Sequence, residues 1–394
     1  MIQRTLFSKR MQNIKASEIR ELLKITEQPE IISFAGGLPA PELFPLKELS
    51  NLTEELILTQ GKRALQYSTT EGYTPLREKI CERMKAVFKV RVAPEETLIT
   101  CGSQQALDFI GKALLDKGDE VLMESPSYLG AINAFRAYEP QFVEVATDEE
   151  GMIPEALEEA LKSSKRPKFI YVIPDFQNPT GRTWSLSRRE ALIKLADKYQ
   201  VLIVEDNPYG ELRFEGDPVP AVKSLDQNGR VIYLGTFSKT LCPGMRIGWI
   251  AAAREIVEPL VLIKQGADLH TSTLSQMQIN LFMENYCLDD HIQRIREVYK
   301  KRRDTLIQSM EHLFDREIYF THPSGGLFSW VELPEEKDSR VLLEKAIAQK
   351  VAFVPGGSFF PCSPKHHTLR LNFSNMPETR IVEGVERLAK LFNR

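Results

Sequence analysis

A lysine attacks a carbonyl carbon only as the neutral amine, so a lysine meant for covalent work needs surroundings that hold its pKa down. Lys239 lies in Gly235-Thr236-Phe237-Ser238-Lys239-Thr240-Leu241-Cys242-Pro243-Gly244-Met245-Arg246-Ile247-Gly248-Trp249, where Thr236, Ser238 and Arg246 bring hydroxyls and a guanidinium close by. Those are the groups that bind a phosphate. The chemistry such a stretch would support is a Schiff base beside a held phosphate. Most lysines are solvated, and a surface lysine is the ordinary reading of the stretch taken alone.

Further candidates are spread along the chain. Gly102-Ser103-Gln104-Gln105 opens an amphipathic helix after Leu98-Ile99-Thr100. A glycine and a hydroxyl there leave backbone N–H groups for an anion, although a plain serine N-cap is the commoner use. Tyr128 in Ser125-Pro126-Ser127-Tyr128, Asn178 in Asn178-Pro179-Thr180-Gly181, and Asp206 with Tyr209 in Glu205-Asp206-Asn207-Pro208-Tyr209 all fall at predicted strand ends. Singly they read as a turn, a helix cap and packing tyrosines; as a set they converge. Arg370 is a charge in the apolar run Thr368-Leu369-Arg370-Leu371-Asn372-Phe373 and needs an anionic partner, either a ligand or a structural salt bridge. Gly36-Gly37 turns the chain after residues 31–34, Tyr67 precedes the turn-like Thr70-Glu71-Gly72-Tyr73, and Arg20 flanks the apolar face of a short helix over 16–24, where a solvated charge is the ordinary reading.

The elements that would position these residues can be read from hydrophobic periodicity. Residues 230–234 and 245–252 read as strands, which puts Lys239 on the connection between them. Strands at 98–100, 120–124, 142–145, 168–173 and 201–204 are interleaved with helices at 130–138, 154–161 and 188–199, and another helix is expected over 75–87. Such alternation implies a mostly parallel sheet with helices on both faces, whose ligands sit beyond the carboxyl ends of the strands. Residues 254–314 read as helical with a break at 284–290. The remainder, with strands at 318–321, 327–332 and 369–373 and a helix at 339–350, reads as a smaller α/β unit.

Composition narrows the partners. A chain of 394 residues with formal charge −3 and no dense basic block is not built for bulk electrostatic binding of nucleic acid. Five cysteines without CxxC spacing point to a reducing cytoplasm, and no apolar run is long enough for a signal peptide core or a membrane span. The adjacent His366 and His367 lack companions that would complete a metal site, so no metal is expected.

Taken in order, these motifs are similar to those of the fold-type I pyridoxal-phosphate aminotransferases, in the subgroup of α-aminoadipate/kynurenine aminotransferases and the bacterial aminotransferase of lysine biosynthesis. The likeness spans nearly the whole chain, from Ala16-Ser17-Glu18-Ile19-Arg20-Glu21-Leu22-Leu23 and Phe34-Ala35-Gly36-Gly37-Leu38-Pro39 through Gln66-Tyr67-Ser68, Gly102-Ser103-Gln104-Gln105, Gln177-Asn178-Pro179-Thr180-Gly181, Glu205-Asp206 and Ser238-Lys239 to Phe353-Val354-Pro355-Gly356. The resemblance implies an α/β fold with a mostly parallel central sheet sandwiched by helices plus a smaller α/β domain, divided as 1–45, a substrate-covering segment packing with the small domain, 46–285, the cofactor-binding domain, and 286–394. It implies that Lys239 holds pyridoxal 5'-phosphate as a Schiff base, that Asp206 pairs with the ring nitrogen, that Asn178 and Tyr209 bond its phenolic oxygen, and that Tyr128 stacks on the ring. Ser103, Gln104, Thr236, Ser238 and Arg246 would bind the phosphate, joined by Tyr67 from the other subunit of a homodimer. Arg370 would hold the substrate α-carboxylate with Gly37 and Asn178, and Arg20 would reach a distal carboxylate. The implied reaction is ping-pong transamination through Lys239 between an L-amino acid, whether 2-aminoadipate, glutamate, branched-chain or aromatic, and a 2-oxo acid such as 2-oxoglutarate. Two rivals share the scaffold: a pyridoxal-dependent lyase or synthase, and the effector domain of a transcription regulator, which needs a preceding DNA-binding module that a chain resembling the enzymes almost from Met1 leaves no room for.

Overall fold

The computed structural model describes residues 7–12 and 28–393. Its large sheet has seven strands, β1 (Thr97–Thr100), β2 (Glu120–Glu124), β3 (Gln141–Val145), β4 (Pro167–Val172), β5 (Leu202–Asp206), β6 (Val231–Thr236) and β7 (Gly248–Ala251), in the order β1-β7-β6-β5-β4-β2-β3. From β3 across to β6 every pairing is parallel, whereas β7 runs antiparallel to both its neighbours. Buried on both faces, these strands read as near-continuous apolar runs.

The period of two sorts each strand between the layers. Val121, Met123, Phe169, Tyr171, Ile232 and Leu234 face one apolar cluster with α3 (Ser103–Leu114) and α4 (Leu129–Arg136). Leu122, Ile170, Val172 and Val231 face the other side, with α5 (Pro154–Ser163) and α6 (Leu186–Tyr199). At the β1-β7 edge, Ile99, Tyr233 and Trp249 pack with α2 (Thr74–Phe88) and α8 (Thr273–Asn285), while α1 (Leu46–Ala64) lies against α8 and α7 (Arg254–Ala267) against α3.

A second, antiparallel sheet joins β8 (Tyr319–Phe320), β9 (Phe328–Glu332), β10 (Val354–Pro355) and β11 (Thr368–Asn372) in the order β8-β9-β11-β10. It packs with α9 (Leu288–Leu313), α10 (Ser339–Ala348) and α11 (Glu378–Phe392). α9 joins the two parts of the molecule, since Leu288 and Ile292 enter the cluster at the β1-β7 edge while Tyr299, Leu306 and Met310 pack with Leu371 and Val385. Ile32–Ser33 pairs in parallel with Val351–Ala352, which ties the N-terminal segment to this smaller part.

Several expectations need correction. The strand expected over 245–252 is only Gly248–Ala251, because Pro243–Met245 forms a single 3-10 turn and Arg246 takes φ +55°. The helical stretch expected from 254 to 314 has a second interruption at residues 268–272, between α7 and α8, where Leu269 stands at φ +64°. Among the described residues the helices α1 and α11 went unread, as did the single turn of helix at Val222–Leu225. α11 carries its buried residues Ile381, Val385, Leu388 and Phe392 at helical spacing, a pattern that sequence periodicity can find.

Candidate active site

The carboxyl ends of the parallel strands open onto a cavity of about 260 Å³ lined by residues of both parts of the molecule. Ser103, Gln104, Tyr128, Asn178, Asp206, Tyr209, Thr236, Ser238, Lys239 and Arg246 reach it from the large part, Arg370 from β11, and Gly37 from the turn after the first short strand. Of the expected site residues that are described, Tyr67 alone is not among those lining it. Tyr67 is 78% exposed, its ring edge-on to His270 at 5.8 Å. Arg20 lies outside the described residues.

Asp206 ends β5, with its register neighbour Leu234 on β6. Residues two apart share a face, so Tyr171 of β4, opposite Val204, meets Asp206, and Thr236 follows one step beyond Leu234. The Tyr171 hydroxyl donates to Asp206 Oδ2 at 2.8 Å. Asp206 Oδ1 is buried with no partner, and burial, opposed by the Tyr171 bond, raises the carboxyl to about 7. A carboxylate left in that state calls for a cationic N–H donor. Its alternative use as a helix cap is not realised. Tyr171 was not among the expected site residues, and nothing in its strand context marks it out.

Lys239 is only partly buried and its Nζ donates to Gly37 O at 2.8 Å. Loss of water, then the positive charges of Arg370 and Arg246, lower the amine to about 8. A substantial share of it is therefore the neutral nucleophile near physiological pH.

Arg370 is 1% exposed, and its partners are neutral: Nη1 donates to Asn178 Oδ1 and Nη2 to Ala35 O, each at 2.8 Å, while Nε has none. The guanidinium stacks over Phe328 at 4.1 Å from the ring centre, and burial lowers it to about 10, so it stays charged. The salt-bridge alternative is thus not realised, and a buried cation with neutral partners suits a carboxylate ligand. Asn178 Nδ2 lies 3.4 Å from the Tyr209 hydroxyl, so these two side chains and Arg370 form one chain of contacts.

At the other end of the cavity the N-cap of α3 is Gly102, so Ser103 is the first helical residue and its Oγ is buried without a partner. The first N–H groups of a helix have no intrahelical acceptor and attract an anion. Arg246 Nη2 lies 3.1 Å from Cys101 O, Thr236 Oγ1 is 2.9 Å from Ser238 Oγ, and Gln104 Nε2 donates to Gly130 O. An orphaned hydroxyl, a guanidinium and a helix start fit a phosphate. Together with the Asp206 oxygen and the Lys239 amine they fit a phosphorylated pyridine aldehyde, with Lys239 as its covalent anchor.

The comparisons agree with this geometry. Residues 40–388 match the family model described as aminotransferase class I and II. The chain is 47% identical to aromatic-amino-acid aminotransferase 1 of Thermococcus litoralis over 98% of its length and 93% of that protein. It is 45% identical to the 2-aminoadipate transaminase of Thermus thermophilus, covering 98% of the chain and 96% of the relative. Among solved structures, LysN, an α-aminoadipate aminotransferase from Thermus thermophilus complexed with N-(5'-phosphopyridoxyl)-L-leucine, superposes with a TM-score of 0.92 at 43% identity, covering 98% of this chain and 97% of that one. The fold is that of the fold-type I enzymes, and the chain belongs to the class I and II aminotransferases, transaminases that depend on pyridoxal phosphate.

Proposed function

We propose that this enzyme moves the amino group between an L-amino acid and a 2-oxo acid such as 2-oxoglutarate, as a cytoplasmic homodimer with shared sites, and that it takes both acidic donors and branched-chain or aromatic ones. The observation that carries the reading is the opposition of a depressed lysine amine and a buried aspartate with one unpartnered oxygen across one cavity that also holds a neutrally partnered arginine. When bound, pyridoxal phosphate supplies an electron sink for the electrons of the Cα–H bond. Asp206 would keep the ring nitrogen protonated, Asn178 and Tyr209 would hold the phenolic oxygen, Tyr128 would cover the ring, and Ser103, Gln104, Thr236, Ser238 and Arg246 would hold the phosphate. Arg370 fixes the α-carboxylate, and with it the direction of the Cα–H bond. Lys239, once displaced by the substrate amine, carries the proton away from Cα as a general base.

Charge accounting bears on substrate range. Among the described residues lining the cavity the cations are Lys239, Arg246 and Arg370, and the reaction occupies each of them. A distal carboxylate therefore needs a further cation, and Arg20 is the candidate. Leu38, Ile173 and Phe328 line the same cavity, a surface suited to leucine-like or aromatic side chains. Relatives named for aromatic amino acids and for 2-aminoadipate support a double range. Tyr67, left exposed on its own protomer, is the residue offered to the partner's phosphate.

The test is to add single amino acids to the holoenzyme without any 2-oxo acid and follow the visible absorption of the lysine-bound cofactor. Discharge by 2-aminoadipate and glutamate as well as by leucine and phenylalanine is expected, with Arg20→Ala slowing only the acidic pair. Absence of the band, or discharge by no amino acid, overturns the reading.

A further inference from the structure

Lys264 takes no part in the site described above, yet its side chain is wholly withdrawn from water. It projects from α7, and its Nζ lies 2.8 and 2.9 Å from the two carboxylate oxygens of Asp268, 3.2 Å from Gln105 Oε1 and 2.9 Å from Thr271 Oγ1. An ammonium has three protons and no other use for them. The contacts go in two directions. Towards the cavity, Gln105 Oε1 accepts from Cys101 N at 2.8 Å while Gln105 Nε2 donates to Asp268 Oδ2 at 2.7 Å. Cys101 immediately precedes Gly102 and Ser103, and its carbonyl is the one that Arg246 touches. Lys264 and its partners therefore fix the turn that aims the start of α3.

In the other direction Thr271 belongs to the interruption between α7 and α8. Its carbonyl accepts from Gln276 Nε2 at 2.8 Å, and Gln276 Oε1 accepts from Tyr73 N at 2.7 Å. Thr273 Oγ1 lies 3.5 Å from Gln66 O, and His270 meets the Tyr67 ring edge-on. The segment that carries Tyr67 is thus fastened on both flanks to the turn that Lys264 holds.

We propose that Lys264 is a positioning residue that sets two phosphate-binding ends from one buried point: the start of α3 in its own subunit and, through the Tyr67 segment, the site of the partner subunit. The inference rests on the shared-site homodimer proposed above. In that assembly each Lys264 serves both sites, so damage to one subunit loosens the cofactor in both.

The test reads cofactor retention rather than turnover. Holoenzymes of wild type, Lys264→Met, and Lys264→Met with Asp268→Asn are diluted, and loss of the visible band of lysine-bound cofactor is followed; the double variant removes both charges and so leaves neither buried alone. Loss at least about tenfold faster in both variants is expected, while the double variant keeps the melting temperature of the wild-type apoprotein. Cofactor retention equal to wild type in the double variant overturns the proposal. The arm across the interface is read in mixed dimers of wild type with Lys239→Ala/Lys264→Met, where the only lysine-bound cofactor lies in the intact subunit. Faster loss there than in mixed dimers of wild type with Lys239→Ala supports the proposal, and equal loss overturns it. Sedimentation of the wild type and cofactor retention in Tyr67→Phe separate the two ideas. A monomer, or Tyr67→Phe with unchanged retention, brings down the shared site and this inference with it. A dimer sensitive to Tyr67→Phe but indifferent to Lys264 brings down this inference alone.

Discussion

Lys239 and Asp206 are perturbed in opposite directions by the same cause, because burial disfavours whichever form is charged. The amine falls to about 8 and the carboxyl rises to about 7, so both change charge within about a unit of neutral pH. For Asp206 this has a cost that can be measured. A carboxyl with its folded value raised from 3.8 to about 7 binds its proton more tightly when folded, so stability is lost as pH climbs through that interval and is not regained above it. Asp206→Asn is therefore expected to stabilise the cofactor-free protein at about pH 8, on the order of 2–4 kcal/mol, and to leave it unchanged at about pH 4. The same substitution should weaken cofactor retention, since an amide cannot keep the ring nitrogen protonated. Denaturant titrations at both pH values check the first part, and no gain at the higher one would refute the account of Asp206. For Lys239, the rate of cofactor uptake by the apoprotein should rise with pH to a midpoint near 8. Arg370→Met should move that midpoint upward by removing one of the charges that depress the amine.

The start of α3 shows how an element aims a group that the sequence only hints at. Gly102 has φ +73°, and a Cβ placed on it would stand 2.5 Å from Arg246 Nη2 and 3.1 Å from Cζ. Glycine is thus needed twice, for the backbone turn and for the guanidinium packed against it. Gly102→Ala should shift Arg246 and tilt the helix start, lowering cofactor affinity by roughly 1–3 kcal/mol with a smaller effect on melting of the apoprotein. Equilibrium binding of pyridoxal phosphate decides this, and an unchanged constant would speak against it. The sequence marked this turn through Gly102-Ser103, but whether the serine capped the helix or pointed into a cavity was open. The structure puts glycine at the cap and frees the serine. Lys264 gave no such signal, being one lysine among many on a helix.

On the scale of the molecule, the cavity is assembled from parts remote in the chain, and a residue that belongs to the proposed site faces away from it. If Tyr67 completes the partner's phosphate end, Tyr67→Ala homodimers should hold the cofactor poorly and Lys239→Ala homodimers should be inactive. Mixed dimers of the two should recover, because the live Lys239 site receives Tyr67 from the other subunit. Activity on refolding the two variants together, compared with each alone, is the measurement; no recovery would place Tyr67 outside the site. Among the described residues no helix is long and apolar enough to cross a membrane.

The sequence by itself determined the kinds of chemistry and where along the chain they sit. Short apolar, β-branched runs located the parallel strands, turn residues located their ends, and the ends carried Ser103, Tyr128, Asn178, Asp206 and Lys239. These are local properties, decided by backbone geometry and by which face of a strand is buried. Tertiary structure alone decided the pairings. Lys239 bonds a carbonyl 202 positions away, Arg370 an amide 192 positions away, and Asp206 finds Tyr171 only because β4 and β5 lie side by side in one register. It also decided the electrostatics, since Asp206, Lys239 and Arg370 are ordinary charges in the sequence and become perturbed ones only when folding gathers them around one cavity and strips water from them.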